Sequence, residues 1–222
     1  MSYTSNNLGG KMTGRIFTFF GHKGGVGKSM GAVHTAVRLI ESDRNVVVAD
    51  LDARQGDSVG FFKLRDQANI VESPVDLKAL NVLMARCRKN DVDLVIDCPA
   101  ADDELARRAS AEADSLIIPF KPGANDLRAV GRAIRLSMRP ARPEAQIFCW
   151  MNFADNTKDS ARLHDILGGT GAFSFAGQVA RRQAFNDAIH CGRTVWELGG
   201  DKKATAEMLN FCNTVLAATR KP

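Results

Sequence analysis

Gly21-His22-Lys23-Gly24-Gly25-Val26-Gly27-Lys28-Ser29 decides how this chain is read. Before it lies Arg15 to Gly21 (R-I-F-T-F-F-G), a short apolar run rich in β-formers. After it, from Ser29 to Glu41, Val33, Val37 and Ile40 recur near helical spacing. Strand, glycine-rich loop and helix in that order separate a phosphate loop from an ordinary turn. Gly24, Gly25 and Gly27 let successive N–H groups converge on phosphate oxygens. The helix start adds its positive dipole end. Lys28 supplies a cation for the β- and γ-phosphates, and the Ser29 hydroxyl is a magnesium ligand. With Val26 and Met30 these residues form the candidate nucleotide-binding loop.

Working outward, Asn45 to Asp50 (N-V-V-V-A-D) is apolar on both faces, as suits a buried strand of a parallel sheet. Similar runs recur at Val92–Asp97, Ser115–Pro119 and Gln146–Met151. The spacing predicts helices over Val75–Lys89, Asp103–Glu112, Asn125–Met138 and Thr157–Leu167. Alternating buried strands and helices give an α/β fold with a doubly wound, mainly parallel sheet. Beyond Gly177 the chain reads as mainly helical, near Arg181–His190 and Lys203–Thr219. Residues 1–14 are polar and Gly-rich and are expected to form a disordered N-terminal tail; residues 15–222 form one domain.

Two acidic strand ends accompany the loop. Asp50 and Asp52 in V-V-V-A-D-L-D are two apart on a strand, so both face the same way at the sheet's carboxyl edge. Asp97 ends the run Val92-Asp93-Leu94-Val95-Ile96-Asp97-Cys98-Pro99. Lys23 is a second lysine that an ordinary phosphate loop does not require. K-G-G-x-G-K-S resembles the deviant Walker A motif of the ParA/MinD family of P-loop ATPases, and the match implies a SIMIBI-type fold with ATP and Mg2+ as cofactors. Further implications attach to particular residues. Lys23 would reach across a nucleotide-sandwich homodimer to the partner's phosphates, as an arginine finger does. Asp52 would position or activate the attacking water. Ser29, Asp50 and Asp97 would hold magnesium, partly through water, and Asn152 in Trp150-Met151-Asn152 would recognise adenine. Lys23, Lys28 and Asp52 are therefore the candidate catalytic residues of a weak, partner-stimulated ATP hydrolysis. Asp52-Ala53-Arg54-Gln55 is closer to the MipZ branch than to the D-P-Q-G of chromosomal and plasmid ParA proteins. Gly192-Arg193-Thr194-Val195-Trp196-Glu197 resembles the late G-x-x-V-x-E of small ParA proteins. Cys98 stands where the family has Thr or Ser and reads as a packing residue.

The chain has 222 residues, a net charge of +5 and 45% hydrophobic content, enough for one sizeable core. Five scattered cysteines form no C-x-x-C pair, which argues against a zinc site or a disulfide framework and suits a reducing cytoplasm. The basic balance permits a polyanionic partner. Arg128, Arg132, Arg135 and Arg139 would form one helical stripe, read either as a solvated face or as a non-specific DNA contact. Arg181, Arg182, Arg193, Lys202 and Lys203 form a second basic group in the region where many ParA proteins hold DNA. The resemblance implies a nucleoid-associated partition or positioning ATPase stimulated by a ParB-like adaptor. Its alternatives are a MipZ- or MinD-like spatial regulator of division and a metabolic member of the superfamily. A membrane partner is not expected: no run approaches the ~18 apolar residues of a spanning helix. The last helix also lacks the interleaved cations of a surface-lying one.

Overall fold

The computed structural model describes residues 14–52, 54–100, 103–123, 144–154 and 173–218. Among these residues seven parallel strands form one sheet in the order β3-β2-β4-β1-β5-β6-β7. They are β1 (Ile16–Phe19), β2 (Val46–Asp50), β3 (Val71–Glu72), β4 (Asp93–Asp97), β5 (Ser115–Phe120), β6 (Gln146–Ala154) and β7 (Ser174–Ala180). The helices are α1 (Lys28–Ile40), α2 (Asp57–Leu64), α3 (Leu77–Lys89), α4 (Glu104–Glu112), α5 (Gln183–His190), α6 (Val195–Leu198) and α7 (Lys202–Ala218).

Alternation along each strand feeds two separate cores. Ile16, Leu94, Ile96, Leu116 and Ile118 pack with Leu80, Leu83 and Met84 of α3 and Ala106 and Ala109 of α4. Phe17, Phe19, Val95, Ile117 and Trp150 face the other way, against α1, α2, α5, α6 and α7. Trp150 stacks on Phe211 of α7 with ring centres 4.2 Å apart. α7 is thus a docked core helix: Met208, Phe211, Cys212 and Val215 are fully buried. Gly31 lets α1 approach the sheet, because a Cβ there would lie 2.7 Å from the Phe19 ring and 2.8 Å from Trp150.

The doubly wound parallel sheet is as the sequence reads, with differences in detail. β7 replaces the helical start expected after Gly177; it pairs with β6 across two register irregularities and buries only Ala176 and Val179 fully. α2, β3 and the short α6 are additions. Asp76 and Asp103, expected inside helices, are instead N-caps whose carboxylates accept from Ala79 N–H and Ala106 N–H at 2.7 Å. Gly14 belongs to the folded body rather than the tail: it is buried against the Val92 and Cys87 carbonyls. The expected helices Asn125–Met138 and Thr157–Leu167, and the rest of the tail, lie outside the described residues.

His34, buried in α1, ties the second layer together. A carbonyl can only accept, so Nδ1–H donates to Met30 O (2.8 Å), and Nε2 accepts the Val195 N–H of α6 (3.2 Å). Burial, opposed by the Met30 carbonyl and Glu197, lowers its pKa to about 4.

Candidate functional site

The loop between β1 and α1 lies at the carboxyl edge of the central strand. Gly27 takes φ 100°, which glycine adopts freely, and a Cβ there would strike Asn152 Nδ2 at 2.0 Å. Asn152, 1% exposed, donates Nδ2 to the Val26 carbonyl at 2.8 Å, while its Oδ1 accepts the Phe153 N–H at 2.9 Å. It braces the phosphate loop, a role the sequence reading did not assign. Phe153 has φ 56°, a left-handed conformation rare for a bulky residue, and its ring lines the cleft.

The loop's lysines divide. Lys28 is 8% exposed and donates Nζ to the Lys23 carbonyl at 3.2 Å. Burial lowers its pKa, opposed by Asp97 first and then by Cys98, Asp52 and Asp57. The Lys23 side chain is exposed at the loop tip, together with Gly24 and Gly25.

The carboxylates fall into distinct roles. Asp50 is buried and already committed: Oδ1 accepts Asp52 N–H (3.0 Å), and Oδ2 accepts Ser58 N–H (3.1 Å) and Val59 N–H (3.2 Å) at the start of α2. Burial raises its pKa, and those three N–H groups oppose the rise. It therefore clamps the Asp52–Gly56 turn and the helix behind it. Asp52 is half-buried, accepts the Gln55 N–H at 3.3 Å and lines the cleft. Asp97 is 2% exposed; Oδ2 accepts the Ser58 hydroxyl at 2.9 Å, and Oδ1 is buried with no hydrogen-bond partner among the described residues. Burial pushes its pKa up to about 7; Ser29 and Ser58 pull down, and Asp50 adds to the rise. An orphaned carboxylate oxygen beside a loop serine fits a hydrated divalent cation, so Ser29 and Asp97 would hold magnesium. Bound there, the cation would offset charge on the phosphates. Cys98 is buried and its thiol is raised well above its usual pKa, as suits packing rather than nucleophilic attack.

Of these residues Lys28, Ser29, Asp52, Cys98 and Phe153 line a cleft of about 460 Å³. One wall carries Gly24, Gly25, Gly27, Lys28 and Ser29; the other brings Gln55, Asp57 and Phe61 from α2 and its approach, and Phe185, Asn186 and His190 from α5. Both the α2 and the α5 contributions were missed. The signal was partly present in Gln55-Gly56-Asp57-Ser58, directly after the acidic strand end.

Arg182 is tied to Glu207 (2.9 Å) and Asp201 (3.7 Å). Arg181, Arg193, Lys202 and Lys203 are exposed. Arg128, Arg132, Arg135 and Arg139 lie outside the described residues. Among the described residues no helix is long and apolar enough to cross a membrane, and no cluster of His, Cys, Asp and Glu is placed to hold a metal alone.

A parallel sheet with a phosphate loop after its central strand, two acidic strand ends beside it and a second loop lysine define a P-loop ATPase of the ParA/MinD type. The family model for the ATPase MipZ matches residues 15–73 and 64–139, together more than half of the chain. The protein belongs to the MipZ ATPase family. No curated protein sequence matches it closely enough to count as a relative. Solved structures share the fold at low identity. A plasmid partition protein from Borrelia burgdorferi is 17% identical at TM-score 0.67, covering 92% of this chain and 99% of that one. A Cyanothece McdA variant in complex with ATP is 17% identical at TM-score 0.70, over 95% and 98%. MinD from Pyrococcus horikoshii complexed with Mg-ADP is 17% identical at TM-score 0.68, over 94% and 99%.

Proposed function

We propose that this protein is a positioning ATPase that dimerises on ATP, holds nucleoid DNA without sequence preference and releases it on slow hydrolysis stimulated by a partner protein. The observation that carries the reading is the division of the two loop lysines. Lys28 points inward to its own phosphates, whereas Lys23 stands exposed where a second subunit could receive it. Asp52, facing the cleft from the turn that Asp50 clamps, is the group that orients the attacking water. Ser29 and Asp97 would hold magnesium, with Asp50 beside them, and Asn152 at the end of β6 would contact the adenine. The sandwich form is the ATP-bound state, the protein is cytoplasmic, and the cargo is a plasmid, a chromosome region or another large assembly.

Size-exclusion chromatography with ATP and magnesium tests this directly. Asp52→Ala should accumulate a dimer and Lys23→Ala should lose it. Wild-type behaviour of both variants in every nucleotide state would sink the sandwich mechanism. ATP-dependent, salt-sensitive retention on arbitrary DNA tests the second half. The docked α7 weighs against a MinD-like membrane switch, since its apolar face is already spent on the core. Sedimentation with anionic liposomes and ATP should leave the protein in the supernatant.

A further inference from the structure

Three residues far apart in sequence meet where β5, β6 and β7 end, on the same sheet edge as the phosphate loop. Lys121 follows β5, Phe153 lies near the end of β6, and Arg181 follows β7. The parallel register brings them together: Phe120 pairs with Met151, and Ala154 with Ala180. Lys121 Nζ sits 4.5 Å from the centre of the Phe153 ring, and Arg181 Cζ sits 5.7 Å from the same point. Lys121 also leans on the loop itself, since its Nζ is 3.8 Å from where a Cβ on Gly25 would be. The Phe153 ring lines the cleft.

Two like charges gathered on one ring repel each other, and neither Lys121 nor Arg181 has a carboxylate ion-pair partner among the described residues. Of the carboxylates that line the cleft, Asp52 takes the Gln55 N–H and Asp57 begins α2, while the buried Asp50 and Asp97 engage α2. An aromatic ring that holds two cations beside a phosphate loop is a place where an anion is awaited. Phe153 keeps the lysine stem close to the loop without neutralising its charge, so a short swing of Nζ off the ring would deliver it to a phosphate oxygen.

We propose that Lys121 and Arg181, gathered on Phe153, form a second phosphate-binding subsite at the mouth of the cleft, separate from Lys28 and Ser29 at its floor. The ligand chemistry is a phosphate group, assigned here to the bound nucleotide because Lys121 abuts Gly25 and Phe153 faces the cleft. The proposal rests on the reading that this cleft takes ATP.

The test is titration calorimetry of Mg-ATP with wild type, Lys121→Met, Arg181→Met, the double variant and Lys121→Arg. Methionine keeps the stem and removes the charge, and a melting curve for each variant checks that the fold is retained. Lys121→Met should weaken ATP binding about 10-fold, as loss of a charged hydrogen bond does. Arg181→Met should weaken it less, Lys121→Arg should hold near wild type, and the gap between wild type and double variant should narrow as salt rises. Unchanged ATP affinity in both methionine variants overturns the subsite. Unchanged affinity with loss of salt-sensitive retention on DNA would transfer the pair to nucleic-acid phosphates and also overturn it. Failure of wild type itself to bind ATP would instead remove the underlying reading of the cleft.

Discussion

Acidification should destabilise this protein through His34 in a way one substitution can isolate. The imidazole is fully buried, with Nδ1–H on the Met30 carbonyl and Nε2 receiving the Val195 N–H, so a second proton has no place to go without breaking the tie between α1 and α6. Its pKa in the fold is about 4, against the ordinary 6.5 of an exposed imidazole. Above pH 6.5 both folded and unfolded chains carry it neutral, and it contributes nothing to the pH dependence. Below that the unfolded chain takes up a proton that the folded one refuses, so stability falls until the folded pKa is reached. The full loss is about 3 kcal/mol, and about 2 kcal/mol is already lost at pH 5. Glu197, the charged group that opposes the shift, keeps its own pKa near 2 and stays ionised across this window. Urea unfolding of wild type and His34→Gln from pH 7.5 to 4.5 is the assay, because glutamine can donate to Met30 and accept from Val195 without titrating. Carboxylate titrations are common to both proteins and cancel in the difference. The gap between them should close or reverse by about 2 kcal/mol on going from pH 7.5 to 5. A difference that stays constant across the range would refute the assignment.

Asp93, buried at the start of β4, accepts from Arg15 and Arg44; Asp93→Ala removes the carboxylate they share, while Arg44 keeps Asp91, and should cost about 2–3 kcal/mol in a urea titration. Gly31→Ala gains about 1 kcal/mol of helix propensity but forces a Cβ against Phe19 and Trp150, where overpacking costs about 1–3 kcal/mol; the clash should win and the melting temperature should fall by several degrees. Asn152→Ala removes the donor to the Val26 carbonyl, so ATP affinity should drop by about 10-fold with only a modest fall in melting temperature. An Asn152→Ala variant that binds ATP like wild type would show that the loop holds its shape without this brace.

The legible parts of the fold are those whose signal is local. Val46–Asp50 and Asp93–Asp97 are buried on both faces, so a run without alternation announces them, and the phosphate loop carries its own glycines. α2 was not legible because it is short, starts after Gly56 in a left-handed turn, and has its first N–H groups satisfied by Asp50 of a neighbouring strand. β7 was hidden because Gly177 interrupts it and its position at the sheet edge leaves few residues to bury. Of the site, Gly24 to Ser29 and Asp52 could be placed from motif and spacing. The commitment of Asp50 to α2 could not, since it depends on how the chain returns after Asp52. Nor could the meeting of Lys121, Phe153 and Arg181, which only strand order creates.

β4 shows how the fold sorts structural charge from functional charge. Asp93 and Asp97 stand at opposite ends of one strand, and both are buried. Burial raises the pKa of each, yet Asp93 ends below its ordinary value because Arg15 and Arg44 more than offset it, while Asp97 is pushed up to about 7. Chemistry and burial are alike, so the difference lies in what the chain brings to each end. At the amino end it supplies two guanidiniums and closes the account internally. At the carboxyl end, where the loops open, it supplies the Ser58 hydroxyl to one oxygen and the nearby charge of Lys28, which together do not offset burial, and the other oxygen has no hydrogen-bond partner among the described residues. Asp97 is buried and no arginine faces it, so its charge is costly in the protein alone and would be relieved by a cation arriving from outside. That asymmetry, carried by one strand, puts the ligand site at the carboxyl edge on physical grounds that do not depend on the glycine-rich motif beside it.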